Sequence, residues 1–237
     1  MTTTSPIFTT TYDTGGTTKP LDAVTVAPER VAVTDAMKDA LGSMNAPFVA
    51  DFLSDALMHE QCGRHLYRAV ASQTNNPMLK GRYEEYGQQT EQHVVVLQSL
   101  IAALGGEPGY VSPSARATEK LDTGAVQATF MLDGSLDLMT KELLMLNAVV
   151  LAETIDHSNW ELIEQLSEQL DEGPAKEAFR DACAEVRPQE DDHVMWAMET
   201  RRRMITMQAS SHMMQGVAAT AENLVNRISS WFDDTAT

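Results

Sequence analysis

The sequence predicts an all-α protein: a four-helix bundle with one long crossover connection, preceded by an N-terminal arm and followed by a C-terminal helix. Three observations carry this expectation. Apolar residues recur at steps of three and four through four long segments, which keeps one face of each toward a core. Strand-like alternation of useful length is absent. Short links join the first long segment to the second and the third to the fourth, whereas residues 105–134 separate the two pairs.

Residues 1–33 hold nine threonines in their first eighteen positions, with Gly15-Gly16 and Pro20, and no bulky apolar face. They are read as a flexible or extended arm. A short helix is predicted at 35–41, capped by Thr34 and stopped by Gly42. The first long segment, 47–74, opens at Pro47 and turns Val49, Phe52, Leu53, Leu57, Glu60 and Tyr67 to one side. The second, 77–104, follows the Asn76-Pro77 cap and ends at Gly105-Gly106. A short helix is predicted inside the long connection, at 124–132.

The third segment, 136–170, is given Ser135 as its cap. The fourth, 174–209, starts at Pro174; Pro188 inside it removes a backbone donor, so a kink or local opening is expected there. At ~1.5 Å per residue these helices are each roughly 40–55 Å long. Together they define a domain at 34–210. The stripe Val217, Ala221, Leu224, Ile228 and Trp231 predicts an amphipathic helix within 211–237.

Formal charge is −17 and the isoelectric point is near 4.6, which argues against nucleic acid and anionic membranes as partners and favours cations. Mean hydropathy is −0.24. No apolar run approaches the ~18–20 residues that cross a bilayer. The N-terminus lacks the basic and apolar regions of a signal peptide. Cys62 and Cys183 both fall in predicted helices, consistent with reduced thiols. A soluble, cytoplasmic protein is the expectation.

Each apolar stripe is broken by polar residues near its middle: Glu60, then His93, then Glu153 with Asp156 or His157, then Glu190 with His193. Burying such groups costs several kcal/mol unless they pair or bind a cation. Positions i+3 and i+4 both lie near the face of Glu153, so Asp156 and His157 compete for one inward place, with His157 preferred. Carboxylates neutralise and bridge cations, and imidazoles complete the shell. The ligand set expected is Glu60, His93, Glu153, His157, Glu190 and His193, with Asp156 as the substitute. The plainer alternative for each is a buried pair that satisfies itself.

The segment order, the long connection and these residues resemble the ferritin-like superfamily of carboxylate-bridged metal proteins. Glu60-Gln61, the run Gln89-Thr90-Glu91-Gln92-His93-Val94-Val95-Val96-Leu97 and Leu104-Gly105-Gly106-Glu107-Pro108 resemble its YciF-like stress-protein branch. The resemblance implies two helices giving one Glu each and two giving Glu-x-x-His. One departure stands out: Thr90 occupies the place of the glutamate three residues before the histidine of the second helix. Glu91 points ~100° away and does not replace it. A two-metal centre is therefore asymmetric, and a single-metal site competes with it.

The resemblance implies iron, as two ions or one, with iron oxidation or peroxide-related stress protection as the function of a non-haem di-iron oxidoreductase. One alternative is a structural bundle with a degenerate site, acting in assembly or partner binding. Another is manganese with catalase-type chemistry. A homo-oligomer is expected, a dimer first, and the arm or the C-terminal helix offers contact to a protein partner. Tyr67, Trp160 and Trp196 are read as core, although Tyr67 is placed to hydrogen-bond a ligand. His59 and His65 are read as surface or interhelical residues. The methionines of the fourth segment, Met195, Met198, Met204 and Met207, are read as flexible packing or an oligomer contact.

Overall fold

The structure is a computed structural model that describes residues 33–131 and 137–210. The expectations for the arm, for Ser135 and for the C-terminal stripe fall on residues outside these, apart from Val33 at the arm's end. Six helices and no strand occur among the described residues: α1 (Asp35–Leu41), α2 (Ala46–Gln73), α3 (Pro77–Ala103), α4 (Pro113–Phe130), α5 (Leu138–Glu168) and α6 (Pro174–Ser210). No helix among them is long and apolar enough to cross a membrane.

Local chemistry explains the ends. Thr34 Oγ1 accepts the Met37 amide at the start of α1, and Gly42 closes it at φ 58°, a conformation that glycine takes without side-chain penalty. Asn45 caps α2, and Asn76 accepts two amides at the start of α3 just ahead of Pro77. At α5 the cap is Asp137, which accepts the Thr140 amide, so the helix begins two residues later than expected. α6 runs unbroken through Pro188, correcting the expected opening; neighbouring turns hold the helix despite the lost donor.

The long connection differs most from expectation. Instead of a short helix at 124–132 it holds α4, which begins at Pro113 behind the Ser112 cap. Among its side chains only Ala115 and Thr129 are buried. A polar ladder ties it to α2 instead. Ser114 donates to Asp51, Thr118 to Asp55, and Asp122 pairs with His59. Both sides advance by four residues, as two parallel helices in register do.

α2 packs on α3 and α5, and α6 packs on α3 and α5, so the four long helices close a ring. Paired side chains give their directions. Tyr67 meets Glu153 while Thr74 meets Glu142, and His93 meets Gln189 while Gln89 meets His193. Neighbours are therefore antiparallel, and α3 and α5 run the same way, which requires a connection that returns along the molecule. α4 is that return.

Inside the ring, two apolar clusters lie end to end. One contains Leu53, Leu57, Leu97, Trp160, Ile163, Phe179 and Val186. The other contains Tyr67, Val70, Leu79, Tyr86, Leu146, Val149 and Ala197. On each helix the polar residues Glu60, His93, Glu153 and Glu190 fall between the two, so apolar packing seals their layer from both ends.

Candidate metal centre

Six ionisable side chains meet in that layer and are nearly inaccessible to water: Glu60, His93, Glu153, Asp156, Glu190 and His193. His93 Nδ1 lies 2.9 Å from Glu190 Oε1 and 3.5 Å from Glu60 Oε1. His193 Nδ1 lies 3.3 Å from Glu153 Oε2 and 3.5 Å from the same Glu190 oxygen. Two triads result, Glu60–His93–Glu190 and Glu153–Glu190–His193, each with ligand-capable atoms within 4.8 Å of one another. Glu190 belongs to both.

The surroundings orient four of the six donors. His93 Nε2 donates to Gln189 Oε1 at 3.1 Å, and His193 Nε2 donates to Gln89 Oε1 at 2.7 Å. With Nε2 committed outward, Nδ1 of each ring faces the centre, the arrangement metal-binding histidines need. Trp160 Nε1 donates to Glu60 Oε1 at 2.7 Å, and the Tyr67 hydroxyl donates to Glu153 Oε1 at 2.6 Å. The pattern is two-fold. An aromatic residue seven positions after each glutamate serves the other glutamate, and a glutamine four positions before each histidine serves the other histidine.

The symmetry breaks at two points. Glu190 precedes His193 by three residues, and Thr90 precedes His93 by three. Thr90 Oγ1 donates to the Tyr86 carbonyl at 2.9 Å and offers the centre no charge. The other pair of matching positions is Gly63, three after Glu60, and Asp156, three after Glu153. Asp156 is buried beside Glu60, Glu153 and Glu190. The described centre thus still has four carboxylates and two imidazoles.

His157 is the correction among the expected ligands. Its ring is a quarter exposed and pairs with Asp191 at 3.2 Å and Glu161 at 3.4 Å. The helix phase that turns Glu153 and Trp160 fully inward carries Asp156 with them and leaves His157 at the α5–α6 edge. His59, expected at the surface or between helices, takes the interhelical place. It is buried between α2, α4 and α5, with Nδ1 2.7 Å from Asp122 and Nε2 3.0 Å from the Ala152 carbonyl.

Electrostatics describe a centre short of positive charge. Burial lifts the Glu190 carboxyl to about 7, even though the His93 contact pulls it back. Asp156 is raised well above the usual carboxylate range by burial and then by the charges of Glu60, Glu190 and Glu153. Burial opposes protonation of His93, but Glu190 and Glu60 outweigh it and hold the imidazole up at about 10. Protons gather where cations fit.

Hydrogen bonding leaves the same atoms over. Glu60 Oε2, His93 Nδ1, Glu153 Oε2, Asp156 Oδ1, both Glu190 oxygens and His193 Nδ1 are buried without a directed hydrogen bond. Native interiors rarely strand polar atoms. Divalent cations would engage these, so the residues present fit a metal ion. Comparison with known protein families, with curated proteins and with solved structures finds no match for the chain.

Proposed function

We propose that the chain is a ferritin-like four-helix carboxylate protein that binds two divalent transition-metal ions, iron first, for oxidation or peroxide-related protection. The observation that carries this reading is the pair of Glu–His–Glu triads joined through Glu190. Glu60 and His93 would hold one ion and Glu153 and His193 the other, with Glu190 within reach of both. Asp156 makes up the carboxylate that Thr90 lacks. Four carboxylate charges then balance two dications in a site where uncompensated charge is costly.

A bound iron pair supplies one-electron redox chemistry and open positions for an oxidant. The chain's own residues prepare that chemistry. Gln89 and Gln189 fix the imidazole tautomers, while Trp160 and Tyr67 hold one oxygen of Glu60 and of Glu153 so that the other points inward. The apolar clusters on either side exclude bulk water. Asp156 and Glu190, whose protonation is favoured in the metal-free centre, release protons as cations enter.

Metal analysis of purified protein, with Glu190→Ala and His193→Ala beside it, tests the reading. Wild type is expected to retain stoichiometric metal and both variants to lose it; metal content unchanged in both would sink the assignment. A single-ion reading rests on Thr90. It expects one ion, on Glu153, Glu190 and His193, that survives Glu60→Ala.

A further inference from the structure

α5 is apolar on two opposite sides. Its inner side carries Leu146, Val149, Glu153, Trp160 and Ile163 into the ring. Its outer side exposes Leu144 at 38%, Leu151 at 65%, Ile155 at 50% and Leu162 at 44%. A helix apolar all round is ordinarily buried all round. Along this side the exposed residues Leu144, Leu151, Thr154, Ile155, Ser158 and Leu162 are uncharged, and Glu161, its side chain 46% exposed, stands at the edge toward α6, paired with Arg187. That gap matters in a chain of formal charge −17, because depletion of charge marks the centre of protein interfaces.

The spacing selects the occupant. Leu144, Leu151, Ile155 and Leu162 stand at steps of seven, four and seven, positions of one coiled-coil seam. The seam is also palindromic about Glu153. Laid antiparallel on a copy of itself, it sets Leu144 against Leu162 and Leu151 against Ile155, so large meets large in each layer, while Ala148 stays in the chain's own core. Beyond the last layer Lys141 comes opposite Gln165 and near Glu168, so opposite charges meet at the ends. Self-complementarity of this kind defines a two-fold, isologous contact.

We propose that the outer face of α5 is a homodimer interface, with a second copy of this chain as its occupant. The contact needs no metal and is independent of the function proposed above.

Sedimentation equilibrium of the full chain, paired with cysteine cross-linking, tests it. Wild type is expected at twice the 26.0 kDa chain mass, and Leu151→Arg/Ile155→Arg at half the wild-type value with unchanged helical circular dichroism. Should the arginine pair disturb folding, cross-linking decides. Thr154→Cys lies beside its twin across the two-fold and is expected to form an interchain disulfide under mild oxidation. Gln165→Cys, about 36 Å from its twin, is not. The native Cys62 and Cys183 are buried, and wild type sets the background. A monomeric wild type overturns the proposal and hands the face to residues 211–237 or to a foreign partner. An arginine variant that folds and keeps the wild-type mass, or Gln165→Cys cross-linking as readily as Thr154→Cys, overturns it too.

Discussion

Glu190 is the residue on which the centre turns, because both triads draw on it and no other side chain belongs to both. Substituting Glu190→Gln keeps the volume and removes the charge, so metal loss from both positions is expected, whereas Glu60→Gln affects one. The glutamines act through the histidines. Gln89→Ala and Gln189→Ala are each expected to weaken metal affinity about 10–100-fold, read by competition with a chelator. Protonation gives a signed test. Glu190 is raised from 4.5 to about 7 and His93 from 6.5 to about 10 in the metal-free centre. Both groups bind protons more tightly folded than unfolded, so the stability they lend is complete at low pH. It drains away as pH rises through about 7 and then about 10. The metal-free protein is therefore expected to lose thermal stability over that range while metal affinity climbs. A metal affinity that is flat from about pH 6 to 8 would contradict the coupling.

At the scale of elements, the long helices were legible because their ends carry caps with a mechanism. Thr34, Asn76-Pro77 and Gly42 each announce a boundary that the structure keeps. Of α4 only the second half was expected. Its first half is tied to α2 by hydrogen bonds to Asp51, Asp55 and His59, polar residues whose four-residue spacing is not an apolar stripe. Among the site residues, Glu60, His93, Glu153, Glu190 and His193 stood out as polar breaks in apolar stripes. The choice of Asp156 over His157 depends on helix phase set by tertiary packing. Of the supporting residues, Tyr67 was placed by its offset of seven from Glu60 to hydrogen-bond a ligand, while the matching offset from Glu153 to Trp160, and those of four from Gln89 to His93 and from Gln189 to His193, went unread.

The α2–α4 contact has its own pH dependence. Burial works against protonation of His59, but Asp122 and the Ala152 carbonyl overcome it and raise the imidazole from 6.5 to about 9. A raised folded value means that the stabilisation is complete below about 6.5 and is lost as pH rises through about 9. Asp122→Asn is thus expected to destabilise the protein measurably at neutral pH and much less above about pH 10, as urea unfolding at the two pH values would register. An equal penalty at both would separate His59 from the charge of Asp122.

For the whole molecule, apolar packing holds the charged layer in place from two sides. Phe179 is fully buried in one cluster, and Phe179→Ala is expected to cost about 3–5 kcal/mol in unfolding free energy. If the layer is a metal centre, part of the stability belongs to the cation. Chelation is then expected to lower the melting temperature, and metal added back to restore it by mass action. A self-satisfied polar core expects neither, and the seven buried atoms without directed hydrogen bonds argue against that state.

The most direct test is the number of metal ions per chain after anaerobic reconstitution with ferrous iron, measured in wild type and Glu190→Ala by elemental analysis. The two-triad centre expects about two ions in wild type and loss of both in the variant. Wild type that binds none, or a Glu190→Ala protein that binds as many as wild type, would contradict it.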